Sequence, residues 1–115
     1  MISIKKTFPL LFIFSLLCST LLFASGDKVK MKIKVWGNCG MCHKTIVSTV
    51  KSIDGVIFAK WSSETKILVV KFLSEQTDID EIQKKIASVG YDTENYKADD
   101  EVYNKLHHCC KYDRK

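Results

Sequence analysis

Residues 28–56 read KVKMKIKVWGNCGMCHKTIVSTVKSIDGV, and this stretch decides the fold. Its first eight residues alternate strictly. Lys28, Lys30, Lys32 and Lys34 interleave with Val29, Met31, Ile33 and Val35. A period of two is that of a half-buried strand, here with lysines on the wet face. At Ile46, Val50 and Ile53 the period becomes helical, with Val47 beside them, so residues 42–53 are expected to form an amphipathic helix. Asp54-Gly55 ends it. Between strand and helix lies Gly37-Asn38-Cys39-Gly40-Met41-Cys42, which puts two thiols on a turn that opens a helix.

Outward from this unit the pattern continues. Val56–Trp61 and Lys66–Leu73 are β-rich runs joined by the polar turn Ser62-Ser63-Glu64-Thr65, which predicts a hairpin. A second helix starts at Asp78 or Asp80, carries Ile79, Ile82, Ile86 and Val89 on its buried stripe, and stops at Gly90. Tyr91–Lys97 is expected as a short edge strand. The order β-α-β-β-α-β over residues 28–97 predicts an α+β, ferredoxin-like sandwich. In it, two helices cover one face of a four-stranded antiparallel sheet. A chain of 115 residues leaves room for one small domain.

The two ends differ in composition from this domain. Lys5 and Lys6 precede "TFPLLFIFSLLCSTLLFAS", with no further charge until Asp27. This is the layout of a secretory signal peptide, residues 1–24, closed by the small residues Ala24, Ser25 and Gly26. The chain is therefore expected to be exported, to a periplasmic or other extracytoplasmic space. An uncleaved anchor is the alternative, because the run approaches the length that spans a bilayer; membrane contact would then come only through this segment. Lipidation at Cys18 is disfavoured by Leu17 before it and by the apolar run continuing to Phe23. Cleavage removes Lys5 and Lys6 and no acid, so the net charge falls from +5 to +3, 16 basic against 13 acidic residues. The lysines form no basic block and no aromatic platform accompanies them, which argues against nucleic acid as a partner. At the other end, residues 98–115 form a charged tail with His107, His108, Cys109 and Cys110 in succession. A short helix capped by Asp99 or Asp100 and packed by Tyr103 and Leu106 is expected there, followed by a mobile end.

Thiolates are soft ligands that select Cu(I), Zn(II) and similar ions over calcium or magnesium. Cys42 is expected in the first helical turn, where unpaired N–H groups and the helix dipole favour a thiolate, and Lys44 adds positive charge nearby. Two thiolates suit near-linear coordination, whereas a closed structural zinc site wants four ligands. Met41 reads as a spacer rather than a thioether ligand, and His43 as solvent-exposed. Trp36 and Trp61 read as packing residues. The tail's four side chains are candidates for a second site or for extra ligands to the first. Adjacent cysteines such as Cys109 and Cys110 seldom pair with each other, because the small ring is strained.

The stretch from Val29 to Val56 resembles the start of a heavy-metal-associated domain, the unit of copper chaperones, copper-ATPase modules and periplasmic mercury-binding proteins. "IQKKIASVGYDTE" (82–94) is similar to that family's second helix and the Gly-Tyr after it. The resemblance covers residues 28–97. It implies an exposed metal carried by Cys39 and Cys42 and passed to a metal-transporting or metal-accepting protein by thiolate exchange, with Tyr91 near the metal loop. Cu(I) is the first expectation, with Hg(II) or Zn(II) behind it. Where the family has a methionine before the first cysteine, this chain has only Asn38 after Gly37, and its methionine lies between the cysteines.

Two other functions compete. A thiol–disulfide oxidoreductase would use the same cysteines, but a thioredoxin-like fold sets a cis-proline against them, and the one proline, Pro9, lies in the signal segment. A disulfide-stapled structural module would leave the two-cysteine spacing without a purpose. No general base, nucleophile triad or phosphate loop is visible, so an enzyme is not expected.

Overall fold

The computed structural model describes residues 27–115. The expected signal segment, residues 1–24, and Cys18 with it, lie outside the described residues. Strand β1 (Lys28–Lys34) leads into helix α1 (Gly40–Lys51), then strands β2 (Val56–Trp61) and β3 (Ile67–Leu73), helix α2 (Ile79–Ser88), a short helix α3 (Asp100–Asn104) and a 3-10 turn (His108–Cys110). The sheet is antiparallel in the order β1-β3-β2.

Register explains which residues are inside. Ile33 faces Leu68, Met31 faces Val70 and Val29 faces Phe72, while Ala59 and Trp61 of β2 oppose Val70 and Leu68 from the other side. These side chains share the core face. Lys28, Lys30, Lys32 and Lys34 take the other face, as the alternation requires. Ile46 and Val50 of α1 and Ile82 and Ile86 of α2 close the core and are fully buried. A bulge between Val56 and Phe58 leaves Ile57 as the extra residue, and Ile57 and Phe58 are exposed.

The helix boundaries follow local chemistry. α2 starts at Asp78, whose carboxylate accepts the Glu81 N–H at 2.8 Å. α1 begins two residues earlier than its apolar spacing indicates, because Gly40 and Met41 are already helical behind Cys39 as N-cap. Gly55 (φ 96°) and Gly90 (φ 108°) sit in the left-handed region after the two helices, where a β-carbon is strained.

The expected four-stranded sheet is corrected to three strands. Tyr91–Lys97 does not form an edge strand, and its pairing with β1 shrinks to a single bridge between Val35 and Thr93. The Trp36 N–H donates to the Asp92 carbonyl and the Glu94 N–H to the Lys34 carbonyl. Beyond these bonds the chain curls. The Thr93 N–H donates to the Tyr96 carbonyl at 2.7 Å, the Tyr96 N–H to Thr93 Oγ1, and the Ala98 N–H to the Asp92 carboxylate. These local bonds take the groups that a ladder would use.

The tail is also corrected. Its end is not loose: it returns across the cysteine turn and the Gly90–Thr93 segment. Tyr112 is buried and stacks on Tyr91 with ring centroids 5.6 Å apart, and its hydroxyl donates to the Gly90 carbonyl and accepts the Asp92 N–H. Arg114 pairs with the buried Asp92 carboxylate at 2.8 Å and with Asp100 at 2.7 Å. Tyr103 and Leu106 pack against the core, as expected, and Tyr103 donates to the Tyr112 carbonyl.

Candidate metal centre

Gly37 is where the loop meets the core. A β-carbon there would lie 2.9 Å from the Trp61 ring and 3.0 Å from Ile46 Cδ1, so only glycine lets the chain pass this close. Trp61 is fixed beneath it by donating Nε1–H to the Val35 carbonyl at 3.0 Å. Lys66, at φ 64° beyond the β2–β3 turn, donates Nζ to the Gly37 carbonyl at 2.6 Å. The loop is thereby held from below and from the side.

Cys39 then serves as N-cap in extended conformation, and Cys42 falls in the first turn of α1 with its side chain fully buried. The expected anion-stabilising effect of the helix start falls on Cys39. The N–H groups of Met41 and Cys42 hydrogen-bond its sulfur and outweigh the cost of burial, which lowers its thiol to about 7. At neutral pH a large share of Cys39 is thiolate.

The tail supplies a third sulfur. The Sγ atoms of Cys39, Cys42 and Cys110 all lie within 4.8 Å of one another. Cys110 is buried, and burial together with the Cys42 sulfur pushes its thiol up to about 12. The tail backbone is tied to the loop as well. Cys39 Sγ and Asn38 Nδ2 both donate to the Cys109 carbonyl, at 3.3 and 3.2 Å, and Cys42 Sγ lies 3.9 Å from the Cys110 carbonyl oxygen. Among the described residues no disulfide joins these four cysteines.

The remaining candidates lie at the rim. Cys109 Sγ sits 3.4 Å from Met41 Sδ and 3.3 Å from His107 Nδ1, outside the three-sulfur cluster. Burial, then the Cys39 sulfur, raises its thiol. His107 and His108 are exposed, with ring centroids 5.1 Å apart. His43 is exposed near Trp61, and Met41 is 51 % exposed. Tyr91 is buried against the cluster, and burial, then the neighbouring Cys42 sulfur, raises its hydroxyl. The sequence pointed to every cysteine here, but not to Lys66, Tyr112 or Arg114. Lys66 carried no signal beyond its place after a turn, and the other two lie in a tail without periodicity.

The family model of the heavy-metal-associated domain matches residues 38–92. Among solved structures, the CopZ metallochaperone is 26% identical with a TM-score of 0.55, over 56% of this chain and 98% of its own. Oxidized MerP from Ralstonia metallidurans CH34 is 25% identical with a TM-score of 0.56, over 58% of this chain and 94% of its own. The water-soluble region of the P-type ATPase CopA from Bacillus subtilis is 26% identical with a TM-score of 0.55, over 59% of this chain and 46% of its own. No curated protein matches. The cluster of thiols on this scaffold suits a soft heavy-metal ion.

Proposed function

We propose that this chain is an exported carrier of a soft metal ion, Cu(I) first, which Cys39 and Cys42 hold and pass on by ligand exchange. The observation that carries the reading is the pair itself: a partly exposed N-cap thiol, lowered to about 7, beside a buried thiol in the first helical turn. The first offers a thiolate to an incoming ion at neutral pH and the second completes the clamp. Each thiol that binds releases its proton to solvent. Transfer needs no redox step. An acceptor thiolate adds to the ion as one of the donor's leaves, and the ion keeps its charge. The likeness to a region of a P-type ATPase supports a metal-transporting partner. Carriage of this kind changes no covalent bond in a substrate, which fits a protein that is not an enzyme.

Titrating Cu(I) into the reduced protein against a colorimetric chelator tests this. One Cu(I) per chain is expected to bind tightly, and the Cys39→Ser/Cys42→Ser double variant is expected to lose it. Full binding by that variant would sink the reading. The likeness to MerP favours Hg(II) as the second reading. Growth protection by the chain against Hg(II) but not copper would select it. The export part is tested by the N-terminal mass of protein recovered outside the cytoplasm, expected to begin within about two residues of Ala24.

A further inference from the structure

We infer that Cys110 is a third ligand, so that the ion sits in a three-thiolate site closed by the C-terminal tail. This rests on the two-cysteine reading above and deepens it. Thiolate–metal bonds of about 2.3 Å set around one ion in a plane put the sulfurs about 4 Å apart. The three Sγ atoms already lie within 4.8 Å of one another, so closing onto an ion takes less than an ångström of movement. A loose tail would have to surrender its freedom to bring a sulfur in. This one is already placed.

The placement is built from both sides of Cys110. On the N-terminal side, the Cys110 N–H donates to the His107 carbonyl at 2.7 Å within the 3-10 turn, and the Cys109 carbonyl accepts from Asn38 Nδ2 at 3.2 Å, a bond that survives deprotonation of Cys39. On the C-terminal side, Tyr112 is locked to Gly90 and Asp92, and Arg114 to Asp92. Cys109 Sγ lies 4.0 Å from Cys110 Sγ but sits at the rim beside Met41 and His107, and of the two tail thiols only that of Cys110 lies within 4.8 Å of both Cys39 and Cys42. Cu(I) and Hg(II) both accept three thiolates. The tail then acts as a strap. Release to a partner requires its thiolate to be replaced, which slows loss of the ion to weak competitors.

X-ray absorption at the metal edge of the Cu(I)-loaded monomer, prepared from cells expressing the full chain, counts the sulfurs directly. Three sulfurs are expected in the wild type and two in Cys110→Ser, with the Cu(I) affinity of that variant lower by at least about tenfold. Tyr112→Phe keeps all three thiols but frees one anchor. It is expected to keep three sulfurs while releasing Cu(I) to a chelator faster. Two sulfurs in the wild-type monomer overturn the inference whatever the variants do, and so do three in Cys110→Ser. Either result leaves the two-cysteine reading standing if the Cys39→Ser/Cys42→Ser variant has lost its copper. Unchanged copper in that double variant overturns both.

Discussion

Gly37 and Gly40 lie three residues apart on one loop and have opposite roles. A methyl group at Gly37 meets the ring of Trp61, which its own hydrogen bond to Val35 holds in place. Gly37→Ala must therefore push the loop or the indole aside, at a cost of about 1–3 kcal/mol. Denaturant melts should show that loss, and the displaced Cys39 should weaken metal binding with it. Gly40 has nothing within 4 Å of its would-be β-carbon and is the first residue of α1. Gly40→Ala is expected to melt within about 0.5 kcal/mol of the wild type. Cys39 supplies the pH signature of the site. Its alkylation should accelerate as pH rises through about 7 and level off above it, while Cys110, pushed up to about 12, stays slow throughout that range. The sign follows from the thiolate being the nucleophile. Peptide mapping after timed alkylation measures both, and equal rates for the two cysteines at pH 7 would contradict the assignment.

At the scale of elements, much of the fold was legible because apolar period reports burial. β1 alternates over its full length, and α2 repeats Ile79, Ile82 and Ile86, so strand and helix could be read before any contact was known. Tyr91–Lys97 misled because Thr93 keeps only one bridge to Val35, while the fully buried Asp92 is held by the Ala98 N–H and by the tail rather than by a strand partner. That burial rests on Tyr112 and Arg114, about 20 residues further on, and no local pattern encodes it. The same pair makes the tail's docking sensitive to acid. Burial alone would raise the Asp92 carboxyl, but the Arg114 guanidinium and the Ala98 N–H outweigh it and hold the group below the ordinary carboxylate range. A group lowered in the folded state stabilises fully above its unfolded pKa, and that contribution fades as pH falls through the folded value. Tail docking should thus be insensitive to pH near neutrality and fail only below the usual carboxylate range. Arg114→Ala leaves the buried carboxylate without its partner, a loss on the order of 3 kcal/mol. It should bring the acid transition of the tail to higher pH, followed through the fluorescence of Tyr103 and Tyr112.

For the molecule as a whole, the tail is both a part of the core and a part of the site, and truncation separates these roles. A chain ending at Ala98 loses Cys110 and uncovers Tyr91, Asp92 and Thr93, which are at most 1 % exposed when the tail is in place. It keeps Cys39, Cys42 and every strand and long helix. The apo form should therefore still fold, with a lower melting temperature. Metal adds a second difference. An ion that binds only the folded chain stabilises it by about 2.7 kcal/mol at a hundredfold excess over Kd, which for a domain of this size raises Tm by roughly 10–20 °C. In the full chain the ion ties α1 to the tail. In the truncated chain it is held by two thiols on one loop, at weaker affinity. At equal Cu(I), the metal-induced rise in Tm should thus be smaller in the truncated chain than in the full one, beyond the difference between their apo forms. Differential scanning calorimetry of both chains, with and without Cu(I), gives the four melting temperatures needed. Equal metal-induced shifts would mean that the tail stabilises the fold without touching the ion, because a scaffold role lowers both apo and loaded melting points alike while a ligand role lowers the loaded one more.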